Sequence, residues 1–425
     1  MPGEPSGGRP TGSAPPSGLA LQLFKTWLWS PPRPHGETIV DRRVSPLELL
    51  YDLVYVAVIA QAGAHFAEHV SAGGLLDFAL VFSLTWIAWS NGSLYLELHG
   101  RDNGRTRNYV FLQIGILAIL GSYAADAGGG GGGGSGFAIA YAAFLALMTW
   151  LWYDVRRQDV IANRPEFLVD SGRYVVAMGL SVVVILVSAL LPAEARLVAW
   201  GVYTVASIVL LSVLGRAGVG LGRALIPTDS LVERFGTFTI IVLGEVVFGV
   251  VDGLSKSQHD LTTVATGMIA LVVGFGFWWI YFDVVGGRLP KRDGRAIANW
   301  ILSHYPITLS IAAAGAGMVS LLEHAHATST PAPTAWLLSG AVAVGLVFLI
   351  LTSRALADAN LLGAAFRPLW AAMAAGAVVS LVIGWARPAP WLLALLLVVV
   401  LGLVWAVAVR GFVLAGAWAG EGSGG

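Results

Sequence analysis

Long apolar runs follow one another along almost the whole chain, and they constrain its fold more than any other feature. A transmembrane helix needs about 20 consecutive, mostly apolar residues, and inside a bilayer only helices and closed barrels satisfy their own backbone hydrogen bonds. Only 12% of the residues are charged, against about 25% in soluble globular chains. We therefore expect an all-α integral membrane protein with about twelve transmembrane helices, near residues 46–66, 75–97, 108–125, 137–153, 171–191, 195–215, 231–251, 261–283, 299–321, 334–353, 368–386 and 389–410.

Lysine and arginine residues are distributed very unevenly between the predicted loops. If the N-terminus lies inside, all but three of the 25 fall on the cytoplasmic side, the exceptions being Arg196, Lys256 and Arg387. Positive charge accumulates in cytoplasmic loops. Basic charge that is almost all arginine, together with much Ala, Gly and Val, is typical of a GC-rich bacterial genome. We expect a multi-pass protein of the bacterial cytoplasmic membrane with both termini in the cytoplasm.

The second half of the sequence resembles the first. The segment HGRDNGRTRNYVFL at 99–112 is similar to PKRDGRAIANWIL at 290–302, and matched positions are separated by about 185 to 197 residues throughout. This similarity predicts two six-helix repeats, at 45–216 and 217–410. Because six is an even number, both copies share one orientation and are parallel. A symmetry axis along the membrane normal predicts a site between the halves, near the midplane.

The two ends of the chain differ in composition from the rest. Residues 1–44 are rich in Pro, Gly and Ser, and residues 411–425 are rich in Gly, which predicts a disordered cytoplasmic tail and a Gly-rich C-terminal tail. Within the first tail, LALQLFKTWLWS at 19–30 has an alternative interpretation. It could form a helix along the membrane interface, with Trp27 and Trp29 at headgroup depth.

One acid interrupts the apolar stretch TFTIIVLGEVVFGVV at 237–251. An ionised carboxylate at the centre of a transmembrane helix costs about 2.5–3.5 kcal/mol, so Glu245 needs a partner or a function. It follows Glu233, at the predicted cytoplasmic edge, by about 18 Å of helix, which is close to the middle of a hydrocarbon core about 30 Å thick. We expect Glu245 to face the bundle interior as a candidate proton carrier. Gly244, beside it, predicts close approach of another helix.

Three more acids lie near predicted cytoplasmic helix ends. Glu48 and Asp52, in VSPLELLYDLVYVAV, share one helix face at i,i+4 spacing. They either form a structural pair with the helix N-terminus or with loop arginines such as Arg101 and Arg105, or line a vestibule for a cation or proton. Asp283, at the end of the aromatic stretch GFGFWWIYFDVV, is either a solvated acid or part of the same vestibule.

The histidines are weaker candidates. His304, in NWILSHYPITLS, could act as a relay partner, or it is a buried histidine with a structural role. The pairs His65/His69 and His324/His326 fall at outer helix ends without carboxylates at metal-ligand spacing, so we predict no metal site.

Several function classes are excluded by what the sequence lacks. Cysteine is absent, which excludes disulfides, thiolate catalysis and cysteine metal sites. The formal net charge is zero, which gives no reason to expect a nucleic-acid partner. No P-loop, nucleophile elbow, dinucleotide fingerprint or Asp-rich diphosphate motif occurs, and we predict no cofactor.

Three motifs, ELLYDLVYV at 48–56, ERFGTFTIIVLGE at 233–245 and WWIYFD at 278–283, resemble in this order the bacterial low temperature requirement protein A (LtrA) family. The resemblance covers roughly residues 43–410. The chain departs from the family pattern where Leu50, Tyr51 and Tyr55 replace Phe, and where Phe235 replaces His. The resemblance implies a multi-pass bacterial membrane protein associated with growth in the cold. It implies no substrate or reaction.

These observations lead to one preferred function and two alternatives. The preferred function is transport or conduction of a small solute or cation, with proton coupling as an option. Glu245 is then the midplane carrier, Glu48, Asp52 and Asp283 form its cytoplasmic mouth, and the partners are membrane lipid and the solute. The alternatives are an intramembrane enzyme acting on a lipid or isoprenoid, and a non-catalytic membrane component for cold adaptation. Carboxylates along a water-accessible path between both faces favour transport, whereas carboxylates in a lipid-open apolar groove favour the enzyme.

Overall fold

The computed structural model describes residues 17–37, 44–129, 131–217 and 226–416, and in this part of the chain it is all-helical. Twelve of its thirteen helices correspond to the twelve predicted apolar runs, and a short helix precedes them. The all-α membrane fold expected from the sequence is confirmed. The helices are α1 Ser17–Trp29, α2 Pro46–Glu68, α3 Ala72–His99, α4 Gly104–Ser122, α5 Gly132–Ile161, α6 Pro165–Ser188, α7 Ala193–Ala217, α8 Asp229–Lys256, α9 Leu261–Val284, α10 Gly294–Glu323, α11 Ala332–Arg354, α12 Gly363–Ala386 and α13 Pro390–Leu414.

Polar residues fix where several of these helices begin. The Ser45 hydroxyl accepts a hydrogen bond from the backbone N–H of Glu48, and Pro46 occupies the first helical turn of α2. The Thr228 hydroxyl caps α8 in the same way, and the Asp293 carboxylate caps α10. Such caps satisfy backbone N–H groups that have no partner inside the helix. The start of α2 and the start of α8 are therefore defined by local sequence.

The helices α2 and α8 run in the same direction. Arg234, near the start of α8, contacts Glu48 and Asp52, near the start of α2. At the other end, Glu68 of α2 and Lys256 of α8 line one cavity. In a chain that crosses a membrane repeatedly, two parallel helices have an odd number of crossings between them.

This parity bears on α4, the least apolar of the twelve. Eleven helices are long and apolar enough to cross a membrane, and the remaining long helix in the described ranges is α4, whose first turns carry Arg105 and Arg107. Five helices, α3 to α7, lie between α2 and α8. The two can be parallel only if all five cross the membrane, or if α4 and one other helix both fail to cross. The parallel arrangement therefore supports a crossing by α4.

The helix α10 lies at the centre of the bundle. Its most apolar 18-residue segment is 89% buried. The helix contacts α2, α3 and α7 as well as α8, α9 and α11. Within the two halves, equivalent helices also make equivalent contacts: α2 with α3 and α4, and α3 with α7, correspond to α8 with α9 and α10, and α9 with α13. This pattern is compatible with the expected repeats at 45–216 and 217–410, which stay a prediction.

The N-terminal region differs from the tail expected over residues 1–44. Residues 17–29 form α1, which packs against α4, and the following segment enters the bundle. The Arg33 guanidinium donates hydrogen bonds to the carbonyl oxygens of Gly100 (3.0 Å) and Glu97 (2.7 Å), and the His35 ring is 2.8 Å from the Asp159 carboxylate. The other parts of the two predicted tails, 1–16, 38–43 and 417–425, lie outside the described residues, and α13 continues to Leu414.

Candidate functional site

A cluster of three charged side chains joins the starts of α2 and α8. The Arg234 guanidinium donates a hydrogen bond to Asp52 (Nη2 to Oδ1, 3.1 Å), and its Nη1 lies 3.6 Å from Oε2 of Glu48. The indole N–H of Trp89 donates a second hydrogen bond to Asp52 Oδ1, at 2.8 Å. Arg234 and Asp52 are both 0% exposed. We call these three residues, Glu48, Asp52 and Arg234, the arginine clamp.

The arginine clamp differs from the open vestibule that Glu48 and Asp52 were expected to line. Both acids are buried and paired, which is the structural alternative, but the cation is Arg234 of the distant helix α8 and not a loop arginine. Arg105 pairs instead with Asp154, and Arg101 with Glu37.

Aromatic side chains seal the clamp from the middle of the bundle. The Trp89 ring stacks on Phe238 with centroids 3.9 Å apart and packs edge-on against Phe235 at 4.9 Å. On α2, Tyr55 follows Asp52 by one turn, and its hydroxyl is 2.7 Å from that of Tyr51. The four rings of Trp89, Phe235, Phe238 and Tyr55 are at most 1% exposed. They lie between the clamp and the level of Glu245 along both helices.

Glu245 has the opposite surroundings. It lies near the middle of the 28-residue helix α8 and is 8% exposed. Its Oε1 atom has no hydrogen-bond partner in the described part of the chain. Its Oε2 atom faces Gly63 of α2, 3.9 Å from where a Cβ at that residue would lie. The carboxyl group is therefore buried between α2 and α8 without a compensating cation in contact.

Close helix packing near Glu245 comes from a different glycine than the sequence predicted. A Cβ added to Gly244 would meet nothing within 4 Å, so the expectation of a close approach there is wrong. A Cβ added to Gly315 of α10 would lie 2.5 Å from the carbonyl oxygen of Glu245, and one added to Gly249 would overlap the backbone of Gly315. The missing side chains let α8 and α10 touch backbone to backbone, as small residues do in membrane helix pairs.

A cavity of about 580 Å³ surrounds the Glu245 carboxyl group. Its floor is the small-residue face of α10, and its walls are α2 from Leu53 to Glu68 and the carboxyl-terminal half of α8. Exposed wall residues such as Leu53 (54%) and Phe248 (70%) lie on the outer surface of the bundle, so the cavity also opens sideways toward lipid. We call it the Glu245 groove; its lining residues are Leu53, Val56, Ala57, Ala60, Gln61, Gly63, Ala64, Ala67, Glu68, Glu245, Phe248, Gly249, Asp252, Lys256, Gly315, Ala316 and Val319.

The polar groups of the groove are Glu245 in its depth, Gln61 on the wall, and a charged rim. At the rim, Lys256 donates a hydrogen bond to Asp252 at 2.7 Å, and Glu68 lies at the end of α2. None of the three residues of the arginine clamp lines the groove. The structure thus separates the predicted acids into two sites, one sealed and one open.

His304 and Asp283 lie away from both sites. The Nδ1 atom of His304 is 2.7 Å from the Trp300 carbonyl oxygen, so it must donate, and its Nε2 accepts from the Tyr281 hydroxyl at 3.0 Å. This arrangement describes a neutral, fully bonded imidazole in the core. The half-buried Asp283 accepts a hydrogen bond from Trp405 of α13, at 2.7 Å.

The sequence signals for the groove were present but incomplete. Gln61 is a polar residue inside an apolar run, which is itself unusual for a membrane helix. The stretch AAAGAGM at 312–318 is a run of small residues, which is typical of close helix contacts. No group of three or more His, Cys, Asp or Glu side chains that could hold a metal ion occurs in the described ranges.

Comparison with known proteins gives one match. The model of the family described as bacterial low temperature requirement A protein (LtrA) matches residues 43–407, which covers both the arginine clamp and the Glu245 groove. No curated protein matches the chain, and no solved structure does either.

Proposed function

The chain belongs to the bacterial low temperature requirement A (LtrA) family, and we propose that it is a secondary transporter that moves a small solute or cation in exchange for protons. Glu245 is the residue that carries the proton. The observation that supports this proposal is a buried carboxyl group with no cation in contact near the middle of a membrane helix, beside a cavity whose charged rim lies at the carboxyl-terminal ends of α2 and α8.

A carrier needs a site that is reached from one side of the membrane while the other side is closed. With the N-terminus inside, as the basic residues predict, the arginine clamp lies on the cytoplasmic side and the groove opens outward. The clamp joins α2 of the first half to α8 of the second, and the aromatic layer of Trp89 and Phe238 lies above it. In this proposal the clamp and the aromatic layer form the closed inner gate.

Transport also requires the opposite state, in which the clamp opens and the groove closes. The same helices, α2 and α8, form both sites. A tilt of one against the other separates Arg234 from Asp52 and brings the oppositely charged rim residues Glu68 and Lys256 together. The backbone contact of α8 with α10 at Gly315 is a suitable pivot, because the two backbones touch there without intervening side chains.

The sideways opening of the groove favours the alternative of an enzyme acting on a membrane lipid. Such chemistry generally needs an acid and a base, or a metal, around one reacting atom. Asp252 lies seven residues from Glu245, about 10 Å along the helix, and Asp52 is held by Arg234. Glu245 thus has no second titratable group beside it, and the proposal of transport accounts for a single carboxyl group better.

The proposal is tested by proton flux in proteoliposomes. Purified protein is reconstituted with a pH-sensitive dye inside, and gradients of inorganic and organic cations are imposed in turn. We expect at least one cation gradient to drive proton movement with the native chain and with Glu245→Asp, but none with Glu245→Gln. The titratable and charged groups facing Glu245 are Glu68 of α2 and Asp252 and Lys256 of α8, since α10 contributes only Gly315, Ala316 and Val319 to the groove.

The matched control is Glu233→Gln. Glu233 lies on the same helix but is exposed, outside the groove and the clamp. Its variant should transport like the native chain. Full cation-driven proton flux in a well-folded Glu245→Gln protein would contradict the proposal.

A further inference from the structure

We infer that the Glu245 groove binds an amphipathic organic cation, a molecule with one positive charge on an apolar body. This inference rests on the proposed function, because it names the substrate class of that transport site. Three features of the groove support it: its charge, its size and its opening toward lipid.

The charge of the groove favours a cation. Three acids, Glu68, Glu245 and Asp252, line it, and the one basic residue in its lining, Lys256, is bound to Asp252. The deepest acid, Glu245, has no cation in contact, so a positive group that enters the groove gains most where it reaches Glu245. A phosphorylated lipid would bring negative charge to these acids, and the lining offers no arginine to bind it.

The size and lining of the groove favour an organic molecule over a metal ion. Its volume of about 580 Å³ is in the range of about 300–1,000 Å³ that is usual for small-molecule sites. A Ca²⁺ ion takes about six to eight oxygen ligands, whereas the depth of the groove offers one carboxyl group, and its wall adds only the amide of Gln61. Leu53, Val56 and Phe248 instead provide apolar surface for a hydrophobic body.

The sideways opening gives such a molecule a route. Amphipathic cations partition into the bilayer interface, and the exposed stripe Leu53, Ala57, Gln61, Ala64 on α2 leads along the groove. Gln61 is the polar residue of this stripe and can accept a hydrogen bond from a protonated amine. The proton and the organic cation then compete for one carboxyl group, which couples their movements in opposite directions.

Binding of tetraphenylphosphonium tests the inference directly. Equilibrium dialysis with labelled tetraphenylphosphonium is done on the full-length protein in nanodiscs of uncharged lipid, with empty nanodiscs as background. Unlabelled tetraphenylphosphonium, Na⁺ and K⁺ serve as competitors. Labelled tetraphenylborate, which has the same shape and the opposite charge, is dialysed in separate samples, because the two ions associate when mixed.

We expect saturable binding to the native chain and to the Glu233→Gln control. Glu245→Gln should bind about 30-fold or more weakly, as expected when one partner of a buried charge pair is removed, and Glu245→Asp should retain most of the affinity. Ala64→Trp, which fills the groove without changing its charge, should also weaken binding. Tetraphenylborate should show no saturable binding, and Na⁺ and K⁺ should not compete with tetraphenylphosphonium.

Three outcomes would overturn the inference: no saturable binding of tetraphenylphosphonium, equal binding by Glu245→Gln and Glu233→Gln, or saturable binding of tetraphenylborate as tight as that of tetraphenylphosphonium. The transport proposal is decided separately by proton flux. If Na⁺ or K⁺ drives Glu245-dependent flux and tetraphenylphosphonium does not bind, transport stands and the organic-cation class is wrong. If tetraphenylphosphonium binds through Glu245 and no cation drives flux, the binding class stands and transport is wrong.

Discussion

The two ends of the contact between α2 and α8 solve the same physical problem in opposite ways. At the amino-terminal end, Glu48 and Asp52 are buried with Arg234 and sealed by aromatic rings. At the level of Glu245, an equally buried acid has no cation in contact and faces a cavity. In the first case the partner offsets the cost of burying a carboxylate. In the second the cost is not offset.

This difference teaches which buried acid to regard as functional. A paired charge is held in one ionisation state by its partner, so it is suited to fix structure. An unpaired carboxyl group gains or loses a proton at little structural cost, and a cavity gives the proton or a cation access to it. The comparison therefore assigns a stabilising role to the arginine clamp and the exchange of a proton or cation to the Glu245 groove. Four substitutions test this assignment.

The largest effect is expected at Arg234. Arg234→Gln removes the cation that contacts the fully buried Asp52, and breaking a buried pair in this way costs about 3–5 kcal/mol. Thermal unfolding in detergent should show a strongly lowered midpoint. Arg295→Gln, at an exposed arginine in the first turn of α10, is the control and should unfold like the native chain. Equal thermal midpoints for the two variants would show that the arginine clamp does not stabilise the fold.

A smaller effect is expected at Asp52. Asp52→Asn keeps the shape and can still accept the Trp89 hydrogen bond, and Glu48 still balances Arg234. The loss is one charge-assisted hydrogen bond, about 1.5–3 kcal/mol. Asp102→Asn breaks an exposed ion pair with Arg107 and should cost no more than about 1 kcal/mol. A loss at Asp52 as large as at Arg234 would show that Glu48 does not compensate and that the pair of Asp52 and Arg234 alone accounts for the stability of the clamp.

The sequence predicted the helices far better than the contacts between them. In a membrane, hydropathy reports directly which segments span, so the twelve apolar runs correspond to α2–α13. The isolation of Glu245 in an apolar run indicated that it faces the bundle interior, but not whether it has a partner there. The partner of Asp52 did not follow, because Arg234 is 182 residues away in the chain and no local pattern encodes that contact. The expected close approach at Gly244 was wrong for the same reason. The rotation of a helix about its axis decides which glycine faces a neighbour, and the sequence does not fix that rotation.

The glycines near Glu245 provide the third substitution. Gly315→Ala places a methyl group 2.5 Å from the Glu245 carbonyl oxygen, and overpacking of this kind costs about 1–3 kcal/mol. Gly244→Ala points into open space and should be neutral or slightly stabilising, because alanine is the better helix former. Thermal midpoints of the two variants, measured side by side, test whether α8 and α10 touch at Gly315. A larger loss for Gly244→Ala would mean that α8 is rotated relative to the arrangement described above.

The smallest effect on stability is expected at Glu245, where the effect on activity is largest. Glu245→Gln leaves no cation unpaired, so the free energy of unfolding should change by less than about 1 kcal/mol, while cation-driven proton flux is lost. The thermal midpoint of this variant should thus lie near that of Glu233→Gln and far above that of Arg234→Gln. A midpoint as low as that of Arg234→Gln would mean that Glu245 has a buried cationic partner and that both acids are structural. The two sites share α2 and α8. An unchanged thermal midpoint of Glu245→Gln together with lost proton flux would therefore show that Glu245 carries a proton and does not hold the two helices together.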